Sequence, residues 1–300
     1  MLELVRGYAK ATFDAAERAG RIEAVASDLA ELSRLLVASE PLRIVLTDGS
    51  IPVQARRAVV EGLLSDKISS DALATVVFAM VSERAAELPK TLERLVETAE
   101  IASSLAAAGE PPDGEPPVGR SGAYERIRGY GERIFELQRH TDDVDEIEDE
   151  LFRLARIIEH NLALRDALAD SAVPTDRRVS VLADLLRGRV RPETVWLAGY
   201  VLRSGRSRDF VGALDYLVEI AAAERGRRIA DVRAAVELEA DERARMSQAL
   251  SAIMRRPVEL RVRIDPSVLG GVSISVGDTV IDGTVKHRLE QLRESFMQRS

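Results

Sequence analysis

The side chains able to do chemistry in this sequence are few and badly spaced for it. Its three histidines, His140, His160 and His287, are far apart and share no metal-ligand spacing, and there is no cysteine. His140 and His160 fall near predicted helix ends, where surface or capping roles suffice. The densest acid–base candidates run from Asp142 to Glu150, seven carboxylates in nine residues. Such a run can hold Ca²⁺ or exchange protons. Val144 and Ile147 interrupt it at helical spacing, however, so it reads as a first helical turn favoured by the dipole, continuing into a solvated face. Arg203, Arg206 and Arg208 surround Ser204-Gly205; a solvated turn between helices is the plainer reading and a basic contact patch the sharper one. Trp196 and Tyr200, four apart, are expected in a core, with the border of a peptide groove as the alternative. Gly270-Gly271 suits the backbone at a strand start better than an anion site. Neither a G-x-x-x-x-G-K-[ST] phosphate loop nor a G-x-G-x-x-G turn is present. The inventory therefore offers no catalytic, cofactor-binding or metal-ligating residue, and no cofactor is expected.

Composition narrows the classes further. A net charge of −8 with 4% aromatics is a poor match to nucleic acid, which is gripped by Lys and Arg against phosphate. The N-terminus lacks the basic and apolar regions of a secretory signal, and no eighteen apolar residues run together. At any membrane a partner is expected to hold the chain.

With chemistry set aside, the elements come forward, and the largest feature is an internal repeat. Arg6-Gly7-Tyr8 and Phe13 recur as Arg128-Gly129-Tyr130 and Phe135, an offset of 122 residues. The same ungapped frame pairs Leu29 with Leu151, Leu32 with Leu154, Leu42-Arg43 with Leu164-Arg165, and Leu46 with Leu168. It continues through Pro52 with Pro174, Arg56 with Arg178 and Leu63-Leu64 with Leu185-Leu186. Of the 59 positions from 6 to 64, 16 are identical. Shared helical composition alone would not hold one frame through a proline and two Arg-Gly-Tyr triplets.

Each copy reads as about six helices. Ile22, Val25, Leu29, Leu32 and Leu36 step by three and four residues, as do Val144, Ile147, Leu151, Leu154 and Ile158. Ser50 or Pro52 starts a helix ending near Leu64, and Pro174 repeats that start. Helices from Ser70 to Leu88 and from Pro89 to Ala107 complete the first copy; their counterparts begin near Pro192 and Ser207. Residues 107–123 hold four prolines and four glycines, the composition of a flexible, partly extended tether. Beyond Gly226 the period changes. Ile229–Leu238 reads as a strand, Asp241 caps a helix through Met254, and Val258–Ile264 and Val272–Val276 alternate like half-buried strands. Gly277-Asp278 turns into a short strand at Val280-Ile281, and Thr284 caps a last helix carrying Leu289, Leu292 and Phe296. The expected chain is mainly α: two tandem six-helix bundles (1–106 and 124–226), the linker 107–123, and a small α+β domain at 227–300.

The C-terminal residues Leu269-Gly270-Gly271, Ile274, Val276-Gly277-Asp278, Ile281-Asp282-Gly283-Thr284 and Arg288-Leu289 closely resemble the signature of the ATP synthase delta subunit family, whose mitochondrial relative is the oligomycin-sensitivity-conferring protein. Tyr8-Ala9-Lys10-Ala11 with Phe13 resembles that family's opening helix, and Glu83-Arg84 with Leu88-Pro89 the end of its fifth. Both copies are similar to its N-terminal six-helix domain, of which the usual member has one. The resemblance implies a non-catalytic stator subunit of the F-type proton-translocating ATP synthase, peripheral to the cytoplasmic face of the bacterial plasma membrane. Its helical domains would grip N-terminal helices of the alpha subunits of the catalytic head, and its C-terminal domain the b-subunit stalk, by laying partner helices in grooves. On this reading two copies on a tether hold two alpha helices; the rival is one gripping copy and one spacer with a blocked groove. A helical adaptor of an unrelated assembly is the alternative function, and an RNA- or ligand-binding helical protein a further one.

Overall fold

The computed structural model describes residues 1–108, 116, 118–139, 143–226, 228–236, 238–254, 258–264, 268, 272–276 and 279–282. Among these the chain is mainly α. The first helices are α1 (Glu3–Arg18), α2 (Ile22–Ala38), α3 (Glu40–Thr47), α4 (Val53–Leu64), α5 (Ser70–Ser82) and α6 (Leu88–Ala108). Then come α7 (Arg120–Gln138), α8 (Asp143–His160), α9 (Leu162–Ala169), α10 (Thr175–Leu186), α11 (Pro192–Arg203) and α12 (Phe210–Gly226). The offset of 122 carries α3 onto α9, α4 onto α10, and the 3₁₀ turn Ala85–Glu87 onto Ser207–Asp209 without slippage. One hydrophobic cluster lies within α1–α6, around Phe13, Leu29, Leu32, Met80, Leu92 and Leu95. A second lies within α7–α12 and takes in Ala11 of α1.

The repeated identities have local causes. Arg56 and Arg178 are buried and reach back, Nη1 donating to the carbonyls of Leu46 (3.2 Å) and Leu168 (2.7 Å). They thereby satisfy acceptors that the ends of α3 and α9 leave open. Ser39 and Asn161 accept from the backbone N–H of Leu42 and Leu164 and so cap the starts of α3 and α9. Asp48 and Asp170 each accept from the N–H two residues on, at 2.8 Å, making the turns that precede Pro52 and Pro174.

Some boundaries differ from the sequence reading. α5 stops at Ser82 rather than Leu88, because Glu83 takes extended backbone angles (φ −110°, ψ 162°) and its carboxylate accepts from Thr91 and from the Leu2 N–H. Residues 107–108 continue α6 and 120–123 open α7, so the linker shortens from both ends. The rest of it, apart from residues 116, 118 and 119, lies outside the described residues. The chain divides into two compact units, Met1–Ala222 and Ala223–Ser300, with the division inside α12. Both helical sets thus belong to one unit.

In the second unit β1 (Arg228–Ala234), β2 (Val258–Ile264), β3 (Val272–Val276) and β4 (Thr279–Asp282) form a four-stranded sheet of order β2-β1-β3-β4, with α13 (Ala240–Met254) between β1 and β2 in the chain. β1 runs parallel to β2, with Arg228 opposite Val258, and antiparallel to β3, which pairs antiparallel with β4. The parallel pair is joined through α13, as a parallel connection requires. Val232, Leu250, Val258 and Ile274 make the small core. β1 ends four residues short of Leu238; the predicted final helix from Thr284, with Gly270-Gly271 and His287, lies outside the described residues.

Candidate partner interfaces

The most developed contact surface joins the two repeats. α1 and α7 cross where each carries its Arg-Gly-Tyr triplet. A Cβ on Gly7 would collide with the carbonyl of Arg126, and one on Gly129 with the carbonyl of Leu4. Since 126 is the repeat equivalent of 4, these contacts are the same contact made twice about a local two-fold axis. A mid-helix glycine forfeits about 1 kcal/mol relative to alanine, and here the missing side chain lets two backbones touch.

Polar groups flank the crossing in the same symmetric way. The Tyr130 hydroxyl donates to Asp14 Oδ2 at 3.0 Å, and the Tyr8 hydroxyl donates to Glu136, the repeat equivalent of Asp14. Behind them Tyr8 stacks on Phe78 and Tyr130 on Tyr200, with ring centroids 3.8 and 3.9 Å apart. Burial pushes both phenols well above their ordinary range, and the neighbouring Glu136 and Asp14 carboxylates add to it. At the rim the symmetry ends. Arg133 donates to buried Asp71 at 2.7 Å, Arg126 binds Glu3 and donates to the Pro116 carbonyl at 2.9 Å, and Arg18 lies 4.0 Å over the Trp196 ring. Arg133 reaches from α7 to the start of α5, and Arg18 from α1 to α11.

These carboxylates act as acceptors for basic side chains and hydroxyls. The acidic run behaves likewise. Asp143 and Glu146 hold Arg191 at 2.6 and 2.9 Å, while buried Glu150 accepts from the Arg191 N–H and the Thr194 hydroxyl, capping α11. Asp28 does the same at the repeat-equivalent place, accepting from the Ser69 N–H at 2.7 Å. Glu150 therefore departs from the solvated face that its run predicted; Asp142 lies outside the described residues. Among the described residues no group of three or more His, Asp or Glu could hold a metal.

Other singled-out residues find plain places. Arg203 lies 3.7 Å from Asp176, and Arg206 donates to Asp209 at 3.0 Å while covering the Tyr124 ring, so two arginines of the predicted patch are neutralised; Arg208 is exposed. Tyr200 is core, and Trp196 is half-buried beside it at the seam. His160 ends α8, with Nδ1 2.7 Å from the Arg156 carbonyl oxygen, and His140 lies outside the described residues. Sequence reasoning missed Arg126, Arg133 and Asp71. The glycine repeated in mid-helix was the available signal for the crossing they flank.

Large apolar side chains reach solvent at matching places: Leu35 and Ile157, Leu63 and Leu185, and Val181, whose equivalent Val59 is half-buried. Val59–Leu63 and Val181–Leu185 are one turn apart on α4 and α10. Scattered exposed leucines are ordinary, but the same ones exposed in both repeats offer a partner equivalent apolar strips.

Comparison with known proteins shows the family. Residues 4–108 and 127–296 match the family profile described as ATP synthase delta (OSCP) subunit. The chain is 36% identical to the ATP synthase subunit delta of Parafrankia sp. (strain EAN1pec) over 280 residues, 93% of this chain and 88% of the relative. It is 36% identical to that of Salinispora arenicola, over 93% of this chain and 90% of the relative. With the Kineococcus radiotolerans subunit delta it shares 34% over 300 residues, 97% of each chain, so the match spans both repeats. The chain belongs to the ATP synthase delta (OSCP) subunit family.

Proposed function

We propose that this subunit is a stator clamp. Its helical unit holds N-terminal helices of the alpha subunits of the catalytic head, and its C-terminal sheet unit, from about residue 227, holds the b-subunit stalk at the cytoplasmic face of the plasma membrane. The family is a non-catalytic subunit of a membrane-bound rotary complex, so affinity and stiffness are what such a part must supply. The observation that carries the reading is the family match over both helical repeats and the C-terminal region. The division into an all-helical unit and a separate sheet-bearing unit supports two attachment ends. No described helix is long and apolar enough to cross a membrane, which is consistent with attachment through other subunits. The repeated apolar strips on α4 and α10 are of the kind an amphipathic partner helix would bury.

The test is capture from detergent-solubilised membranes with the tagged full chain, followed by identification of the retained subunits. Alpha and b subunits retained together support the reading; retention of neither overturns it. Removing residues from Val258 onward is expected to abolish b binding while the far-UV circular dichroism of the helices persists. Unchanged b affinity would refute the assignment of that end.

A further inference from the structure

We infer that the first-helix face of each repeat is a docking surface whose occupant is the first helix of the other repeat, and that Arg126, Arg133 and Arg18 favour this pairing over that of two first repeats. The two helical halves would therefore stay joined with the linker cut. The inference rests on the seam alone and is independent of which subunits the chain joins.

The centre of the seam has the form of a two-fold, self-complementary interface: Gly7 on Arg126 and Gly129 on Leu4, Tyr8 on Glu136 and Tyr130 on Asp14. In such an interface one patch meets its own copy, so the centre would also serve two first repeats or two second repeats. The rim discriminates. Arg133 and Arg126 stand where the first repeat has Ala11 and Leu4, and they meet Asp71 and Glu3 of the first repeat, whose equivalents in the second are Glu193 and Glu125; what the first repeat lacks is the two arginines. Two first repeats placed face to face would bring both carboxylates of each copy to the seam without Arg133 and Arg126, leaving Asp71 only the largely exposed Arg21 and Glu3 only Arg6. Arg133 is 4% and Asp71 5% exposed. A buried carboxylate that loses the buried one of its two cations weakens a packed interface. Arg18 over Trp196 adds a second mark of unlikeness, because the first repeat has Ala74 where the second has Trp196. The duplication has thus turned a surface able to pair two like domains into an internal joint, with the pairing of two first repeats penalised. A helix from outside would have to displace α7 to reach the α1 face.

The test cuts the full chain after it has folded. A protease site is inserted between residues 109 and 115, the chain is cleaved, and native mass spectrometry reads the species at micromolar concentration. The expected result is a single one-to-one complex of the two fragments. Separated fragments, or paired N-terminal fragments, would overturn the inference. Arg133→Met in the cleavable chain is expected to weaken fragment pairing by roughly a hundredfold or more, the scale of breaking a buried ion pair. Unchanged pairing would overturn the role given to the rim. A second measurement avoids mutation of the seam. The chain has no cysteine, so Val37→Cys and Leu162→Cys, both exposed, accept a pair of spin labels in the uncut protein. One narrow distance distribution is expected, and a broad one of the kind two tethered bodies give would overturn the joint.

Discussion

Replacing Gly7 and Gly129 with alanine probes the seam through the sign of the effect. On an open helix face glycine to alanine stabilises by about 0.5–1 kcal/mol, since alanine has less backbone freedom to lose. Gly62 in α4 supplies that reference, because nothing lies within 4 Å of where its Cβ would stand. At Gly7 and Gly129 the same methyl meets a backbone carbonyl of the crossing helix, which cannot rotate aside as a side chain can. Overpacking of this kind costs about 1–3 kcal/mol. After the propensity gain, each substitution should destabilise by about 1–2 kcal/mol. Both methyls push the same two helices apart, so the double variant should cost about as much as one alone, a coupling expected of residues in contact. Urea unfolding followed by far-UV circular dichroism reads the stability. Trp196, the sole tryptophan, lies under Arg18 at the seam and reports local opening by fluorescence. If Gly7→Ala or Gly129→Ala stabilises as Gly62→Ala does, the helices do not cross at these glycines and the account of the seam fails.

Other perturbations test its polar parts. Arg133→Met should cost about 3 kcal/mol, toward the low end for a broken buried pair because Arg21 still lies 3.0 Å from Asp71; a cost under about 1 kcal/mol in the same urea titration argues against the pair. Tyr8 and Tyr130 have folded-state pKa values raised by burial. Their contribution is complete below the unfolded phenol value and falls as pH rises above about 10, by about 1.4 kcal/mol per pH unit for each. Alkaline unfolding should therefore be shallower in the Tyr8→Phe, Tyr130→Phe double variant, and an identical slope contradicts the burial. Glu150→Ala and Asp28→Ala each remove a carboxylate cap and should cost about 2 kcal/mol apiece, measured by thermal unfolding; a loss at only one of them would show that the repeats do not share the device.

Much of this arrangement was legible in the residues. The apolar stripes Ile22–Leu36 and Val144–Ile158 have the helical period and are the buried faces of α2 and α8. Alternation at Val258–Ile264 and Val272–Val276 marked β2 and β3. Arg56 and Arg178 stood out as identities, although a capping role for an arginine ten residues from its acceptor depends on a turn that periodicity does not reveal. The seam was hidden for a related reason. Tyr8, Phe13, Tyr130 and Phe135 pattern as core whether a domain stands alone or in a pair, and the Pro/Gly composition of 107–123 suggested separate bodies. Only two mid-helix glycines at repeat-equivalent places hinted that two helices touch. Arg126 and Arg133 sit where the first repeat has Leu4 and Ala11, so the repeat frame itself made them look like divergence rather than contact. Glu150 fell within an acidic run whose other described members are partly or fully exposed, and nothing in its spacing separated it from them.

The central claim is that this chain bridges two other bodies of the complex through opposite ends. The direct measurement is sedimentation velocity on a mixture of the full chain, a catalytic head stripped of its own delta subunit, and a soluble b-subunit fragment. The account predicts one fast-sedimenting boundary containing all three components, lost when the chain is omitted and reduced to head plus chain when residues from Val258 onward are removed. Head and b fragment sedimenting separately in the presence of the full chain would contradict it.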